Sequence, residues 1–431
     1  MEEIILKKII TFLGTGIYKE TTYEFINENN KKISLKTRFV QEAICELVGN
    51  DALLYVGLTD KAEKENWTSG VKEQKDFKTC EAKQIFQDGL KDILDNKGIS
   101  YEKFPLKDGK NEEEMWKNFE SIFDIINDGD EVYVDVTHSF RSIPFIIMSV
   151  LNYAKFIKNI DIRGIYYGAF EAKNADNITP IFNLSLFNQL TDWTIGAEKF
   201  LDTGDGKKLS NMISTTIDPI LKETGGDNLD AKTSERINCK LQAFSGGLYT
   251  VRGNTLTKDG IALKKSLESI KGINLYELKP FEKILDKIYE KIYFYSGDIV
   301  LDVHNTVKLC RDFRLIQQAY TFLRENIITY LCLKGNIDYT DSSERQLVET
   351  VLLSKDKRKN ILLEDIHNPI EENISKYINC DLVQLFEDTG DTRNDLNHAG
   401  YRKNPRKYRT FYNKLDDFIL SFERLVFKEK V

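Results

Sequence analysis

The sequence predicts two unlike folds in series, an α/β part built on a parallel sheet and then an all-α part. Three observations carry this reading. Short, continuously apolar runs alternate with amphipathic helical stretches up to about Leu184. Beyond that point the strand signal fades and helical periodicity takes over. Asn305 to Lys334 then runs without Gly or Pro, as a helix spanning a bundle would.

Ile9 to Leu13 is a short apolar run closed by Gly14-Thr15-Gly16, which predicts a first strand and a tight loop. Ser34 to Val48 reads as a helix, with Phe39, Ala43, Leu47 and Val48 on one side. Ala52 to Val56 is a second buried strand. Cys80 to Leu94 reads as helical through Ile85, Phe86, Leu90, Ile93 and Leu94. Ile99 to Phe104 is a third strand and Met115 to Ile126 another helix. Glu131 to Val136 is a strand, a helix follows from Ser142 to Ile157, and Ile162 to Tyr167 closes the series. Buried strands separated by helices imply a Rossmann-like parallel sheet covered on both faces.

In the connecting region helices are expected over Trp193 to Leu201, Leu209 to Ile220, Ser234 to Phe244 and Ile261 to Ile270, with room for a hairpin near Tyr249 to Leu256. Pro280 suits a helix start, and Phe281, Ile284, Leu285, Ile288, Ile292 and Tyr295 keep the helical period. Further helices are expected over Glu344 to Leu353 and Pro405 to Phe427. The domain reading is an N-terminal sheet domain over 1–184, a helical connector over 185–275 and a C-terminal helical bundle over 276–431.

Composition bounds the function. The chain has 431 residues and a mass of 49.9 kDa; 41% are hydrophobic and 11% aromatic, ample for real cores. Lys and Arg total 61 against 68 Asp and Glu, a net charge of −7. That balance argues against a nucleic-acid coat yet leaves room for a local basic groove. Six scattered Cys, at 45, 80, 239, 310, 332 and 380, form no CxxC pair and fit a reducing compartment. The acidic start and the shortness of the apolar run Ile143 to Leu151 lead us to expect a soluble, cytoplasmic protein.

Two loops of the sheet part carry candidate chemistry: Gly14-Thr15-Gly16, and Thr137-His138-Ser139-Phe140-Arg141-Ser142-Ile143-Pro144. In a parallel sheet both lie at the carboxyl edge, where such folds bind ligands. Glycine permits close backbone approach, helix N-termini face anions, and the Arg141 fork suits phosphate. A dinucleotide is disfavoured, because Lys19 stands where GxGxxG needs its third glycine.

The second candidate is Arg393-Asn394-Asp395-Leu396-Asn397-His398. Gly390 precedes the N-cap candidates Asp391 and Thr392, so a helix is expected to start there and to stop at Gly400. A basic stretch follows at once: Arg402, Lys403, Arg406, Lys407 and Arg409, with Tyr401 and Tyr408 among them. Phosphate contacts beside stacking rings are what a single-stranded RNA groove needs. From Arg393 to Val431 ten basic residues face five acidic ones, against the acidity of the whole. No metal-ligand spacing occurs around the remaining histidines, His304 and His367, so no metal is expected.

These motifs together resemble a known family. Phe12-Leu13-Gly14-Thr15-Gly16 with Asp135 to Pro144 resembles the CARF sensor domain of type III CRISPR ancillary proteins. Asp192-Trp193-Thr194 through Phe200 to Asp205 resembles the connector of the same group, and Arg393 to His398 is similar to the Arg-x4-6-His motif of HEPN ribonucleases. The resemblance spans essentially the whole chain in the expected order. It implies a CARF sensor over 1–184, a connector, and a HEPN domain over 276–431. It further implies that a cyclic oligoadenylate, tetra-adenylate favoured, binds across a two-fold homodimer and switches on metal-independent cleavage of single-stranded RNA in antiviral defence. By residue it implies Gly14, Thr15, Gly16, Thr137, His138, Ser139 and Arg141 lining the activator, with Tyr18 stacking on an adenine. Arg393 would stabilise the charged transition state, His398 would move protons, and Asn394 would position the phosphate or Arg393. The alternative is a ligand-gated regulator that binds nucleic acid without cutting it.

Overall fold

A computed structural model of the chain describes residues 6–26, 32–49, 51–75, 82–138, 142–268, 279–354, 370–401 and 403–427. It divides into two compact units, Met1–Gln189 and Leu190–Val431.

In the first unit, in chain order, stand β1 (Lys7–Phe12), β2 (Thr21–Ile26), β3 (Lys32–Thr37), α1 (Val40–Val48) and β4 (Leu53–Leu58). A short helix, α2 (Asp60–Ala62), runs into a π-helical turn over Glu63–Trp67, and then come β5 (Gly70–Lys75), β6 (Ala82–Gln87) and α3 (Leu90–Lys97). β7 (Tyr101–Pro105), α4 (Glu112–Asp124), β8 (Glu131–Asp135), α5 (Ile143–Ile157), β9 (Asp161–Gly168) and β10 (Ile178–Asn183) complete it. The eight-stranded sheet has the order β3-β2-β10-β9-β8-β1-β4-β7. From β9 to β7 every pairing is parallel, with Ile10 opposite both Tyr55 of β4 and Val134 of β8. β10 joins antiparallel to β9, and β2 and β3 add a hairpin at the edge. α1 and α3 bury Val40, Ile44, Leu90 and Leu94 on one face, while α4 and α5 bury Ile122, Ile147, Val150 and Leu151 on the other. The Rossmann-like reading stands, because apolar strands of this kind need cover on both sides.

Two local expectations are corrected. Residues 34–37 belong to strand β3, so the helix begins only at Val40. Lys32 to Thr37 alternates exposed and inward side chains, a period of two that the apolar count concealed. Of the expected Cys80 to Leu94 helix, Cys80 and Glu81 lie outside the described residues, and the rest is strand β6, paired with β5, and then α3. Gly89 separates them. A Cβ there would stand 2.3 Å from the Trp67 carbonyl oxygen, so the chain can pass only as glycine.

The second unit is helical, and α6 (Ser185–Thr203) leads into it. α7 (Lys207–Glu223), α8 (Leu229–Tyr249), α9 (Gly253–Glu268), α10 (Lys279–Ile292), α11 (Ile299–Asp312), α12 (Ile316–Lys334), α13 (Ser342–Ser354), α14 (Glu371–Ile374), α15 (Cys380–Asn397) and α16 (Tyr408–Val426) follow. One apolar core runs from Trp193 and Phe200 through Leu323 and Leu331 to Phe422. No helix among the described residues is long and apolar enough to cross a membrane.

Two expectations fail here too. No hairpin forms near Tyr249 to Leu256; a short turn with Val251 in the left-handed region links α8 to α9. The unbroken helix from Asn305 to Lys334 is two helices. Arg314 takes φ +59°, its N–H reaches the Arg311 carbonyl, and the Leu315 N–H reaches back to that of Cys310 at 2.8 Å. This closure normally uses glycine, so nothing in the composition announced it. Buried Phe313 anchors the break in the core.

Candidate functional site

In the first unit β4, β1 and β8 run parallel side by side, so the loops that follow them share one edge. Asp135, the last residue of β8, is fully buried there. The Thr11 hydroxyl donates to its Oδ2 at 2.6 Å, and the Thr137 N–H and hydroxyl donate to Oδ1 at 2.9 and 2.5 Å. Burial pushes this carboxyl up, and those three donors offset only part of the rise. Thr137 Oγ1 also accepts the Gly168 N–H at 2.8 Å. The expected ligand residue Thr137 therefore uses its hydroxyl to fasten the loop start to β9.

The Gly14 loop is held equally firmly. The Gly14 N–H donates to Tyr18 Oη at 2.7 Å, and a Cβ on Gly14 would stand 3.1 Å from that oxygen. The Tyr18 ring is buried between Phe39 (centroids 5.0 Å apart) and His138 (4.3 Å, edge-on). The ring expected to stack on an adenine is thus enclosed by its own neighbours. Desolvation lifts the Tyr18 hydroxyl well above its ordinary range, so it stays a neutral phenol. Thr15 is half-buried and Gly16 exposed. His138 completes this group: burial pulls its imidazole down to about 4, and its Nε2 is closed off without a hydrogen-bond partner among the described residues. Ser139 and Arg141 lie outside the described residues.

Sequence reasoning missed one residue. Asn66, buried in the π-helical turn after β4, donates through Nδ2 to both the Gly14 and Gly16 carbonyls, each at 2.9 Å. Its Oδ1 accepts from Lys72 Nζ of β5 at 2.9 Å. A lone Asn in a polar stretch carries no signal of this; only the fold brings it to the loop.

In the second unit α15 corrects the expected helix start. It begins at Cys380, capped by Asn379, whose Oδ1 accepts the Leu382 N–H at 2.8 Å. Gly390 lies inside it, and Leu382, Leu385, Phe386, Thr389 and Thr392 hold the helix to the core. The expected end is right. His398 is the C-cap, Ala399 and Gly400 take φ +52° and +72°, and the Gly400 N–H returns to the Asp395 carbonyl at 3.1 Å. Arg393 is half-buried in the last turns, its Nε closed from solvent with no partner among the described residues. Asn394 and His398 are exposed.

The basic loop folds back on this helix. The Arg406 guanidinium pairs with Asp391 and, at 3.2 Å, with buried Asp395, and its N–H reaches Asp395 Oδ2 at 3.2 Å. Arg406, expected on the RNA side, is a brace for α15. Lys403, Lys407 and Arg409 are exposed, with Arg409 Nε against Tyr408 Oη at 3.0 Å; Arg402 lies outside the described residues. Among the described residues no three His, Cys, Asp or Glu gather as a metal site would need.

Comparison with known proteins gives matches to two family models and one relative. Residues 8–171 match the model of the CARF domain of the CRISPR system endoribonuclease Csx1, and residues 189–294 that of the second domain of CRISPR-associated protein MJ1674. The chain is 25% identical over 298 residues to CRISPR-associated protein MJ1674 of Methanocaldococcus jannaschii, covering 68% of this chain and 44% of that protein. It thus matches less than half the length of that relative.

Proposed function

From the match of residues 8–171 to a CARF domain model and the similarity to a CRISPR-associated protein, we propose that the chain is an endoribonuclease of type III CRISPR defence, switched on by a cyclic oligoadenylate. The activator, tetra-adenylate favoured, binds at the loops after β1 and β8. The helical C-terminal part, of the HEPN kind, cuts single-stranded RNA without a metal. The observation that carries the cleavage is the end of α15. Arg393 stands there with its Nε unpartnered among the described residues and His398 stands exposed, while Asp391 and Asp395 are tied to Arg406.

Without a metal, the nucleophile is the RNA's own 2′-hydroxyl, tethered beside the scissile phosphate. Its oxygen attacks phosphorus, the 5′-oxygen leaves, and one proton is removed from the first and one given to the second. Arg393 holds the non-bridging oxygens as charge builds on them. His398 moves a proton, histidine being the side chain that most often serves in general acid–base catalysis. One Arg and one His per chain are few for both transfers, so two chains combine their motifs in a homodimer. The products carry 5′-hydroxyl and 2′,3′-cyclic phosphate ends.

The test is labelled single-stranded RNA incubated in EDTA with cyclic tetra- or hexa-adenylate. Activator-dependent fragments ending in cyclic phosphate are expected, with no cut 3′ of a single deoxynucleotide. His398→Ala should bind activator and RNA yet lose about 10²–10⁴-fold in turnover. RNA that is bound under activator control but never cut points to the non-cleaving regulator, and cutting at the deoxy position overturns this chemistry.

A further inference from the structure

Lys72 lies outside every motif discussed above. It is on β5, half of a two-stranded hairpin separate from the main sheet, and is half-buried. Its ammonium donates to Asn66 Oδ1 at 2.9 Å, a neutral acceptor. Among the described side chains no carboxylate forms an ion pair with it. The Glu65 carboxylate acts on it only from further off, while the Arg38 guanidinium repels it. Arg38 itself donates to the Asp88 carbonyl at 2.6 Å and lies over the Phe39 ring, so its charge is not spent on a carboxylate there. Holding a partly desolvated ammonium on one amide oxygen, next to a second cation, is unfavourable in the empty protein. An arriving anion removes that cost.

Asn66 ties this cation to the loop. One amide group bonds the Gly14 and Gly16 carbonyls with its nitrogen and Lys72 with its oxygen. Because the side chain is 3% exposed and its nitrogen is committed twice, it has little freedom to turn. Lys72 is thereby fixed two hydrogen bonds from the backbone where the ligand is proposed to bind.

We propose that Lys72 is an anion-recognition residue of the Gly14 loop, pairing with a phosphodiester of the bound cyclic oligonucleotide, and that Asn66 is the positioning residue that aims it. This rests on the ligand reading given above. Lysine suits the task as a compact point charge whose partner need not be planar.

The test titrates the full-length chain with cyclic tetra-adenylate and cyclic hexa-adenylate by calorimetry, at low and at high salt. Lys72→Ala should weaken the bound ring by about ten- to a hundredfold, the range for a hydrogen bond to a charged group. Its affinity should also fall less steeply with salt than that of the wild type, since one screened charge pair has gone. Lys72→Arg should recover most of the salt dependence, and Asn66→Leu should weaken binding while leaving the charge in place. Thermal melts of the free proteins separate these effects from unfolding: Lys72→Ala should melt no lower than the wild type. Wild-type protein that binds neither ring overturns the ligand reading itself. Wild-type binding that Lys72→Ala changes in neither affinity nor salt dependence overturns the role of Lys72 alone.

Discussion

His138 shows how burial sets chemistry at the level of one residue. Its imidazole lies against the Tyr18 ring and titrates at about 4, below the ordinary 6.5. The unfolded chain therefore binds this proton near pH 6.5 while the folded chain does not. The stability tied to a neutral His138 is fully present above pH 6.5 and is lost as the pH falls towards 4. Melting temperatures measured from pH 7.5 to 4.5 should fall less for His138→Gln than for the wild type. Identical slopes would place His138 in water and remove it from the site. Its presence in a strand-end loop was legible, because Thr-His-Ser after an apolar run is a polar interruption at a predictable place. Its company was not: Tyr18 reaches it from the turn after β1, backed by Phe39 at the start of α1, and no local pattern encodes that meeting.

At the level of the element, α15 decides how the second site is presented. Reading Gly390 as a break places Arg393 in the first turn of a helix. In the folded chain both it and His398 stand at the other end, where the C-cap closure sets the direction of the chain. A Cβ on Gly390 would meet Arg324 Nε at 3.7 Å, an ordinary contact. Gly390→Ala should therefore raise the unfolding free energy of this unit by about 0.5–1 kcal/mol, the helix preference of alanine over glycine. A lowered melting temperature would restore the break. The same lesson recurs at Arg314. A left-handed arginine divides α11 from α12, and glycine-based punctuation misses it, while at Gly89 the glycine does mark the boundary that apolar periodicity overran. Glycine is a reliable signal only where its missing side chain is used: at Gly89 it avoids the Trp67 carbonyl, and at Gly390 it avoids nothing.

For the whole molecule, the proposed chemistry sets a mass. If each chain supplies one Arg393 and one His398, light scattering on the free protein should give twice the chain's 49.9 kDa before any activator is added. A single-chain mass with and without activator would remove the composite centre. What the sequence determined by itself is the order of the parts: buried parallel strands between helices, then a helical region, with a glycine-bearing strand-end loop early and Arg393 with His398 late. Those follow from hydrophobic period and residue chemistry, both local properties that a linear reading captures. Only the tertiary structure decided which polar groups are spent and which remain available. Asp135 consumes the hydroxyls of Thr11 and Thr137, Asp391 and Asp395 consume Arg406, and Tyr18 is closed in by its neighbours. Buried polar groups must find partners, and those partners come from strands and helices far apart in the chain. Among the described residues, Lys72 on its amide, Arg393 with an unpartnered Nε and the exposed His398 emerge only once that pairing has been completed in three dimensions.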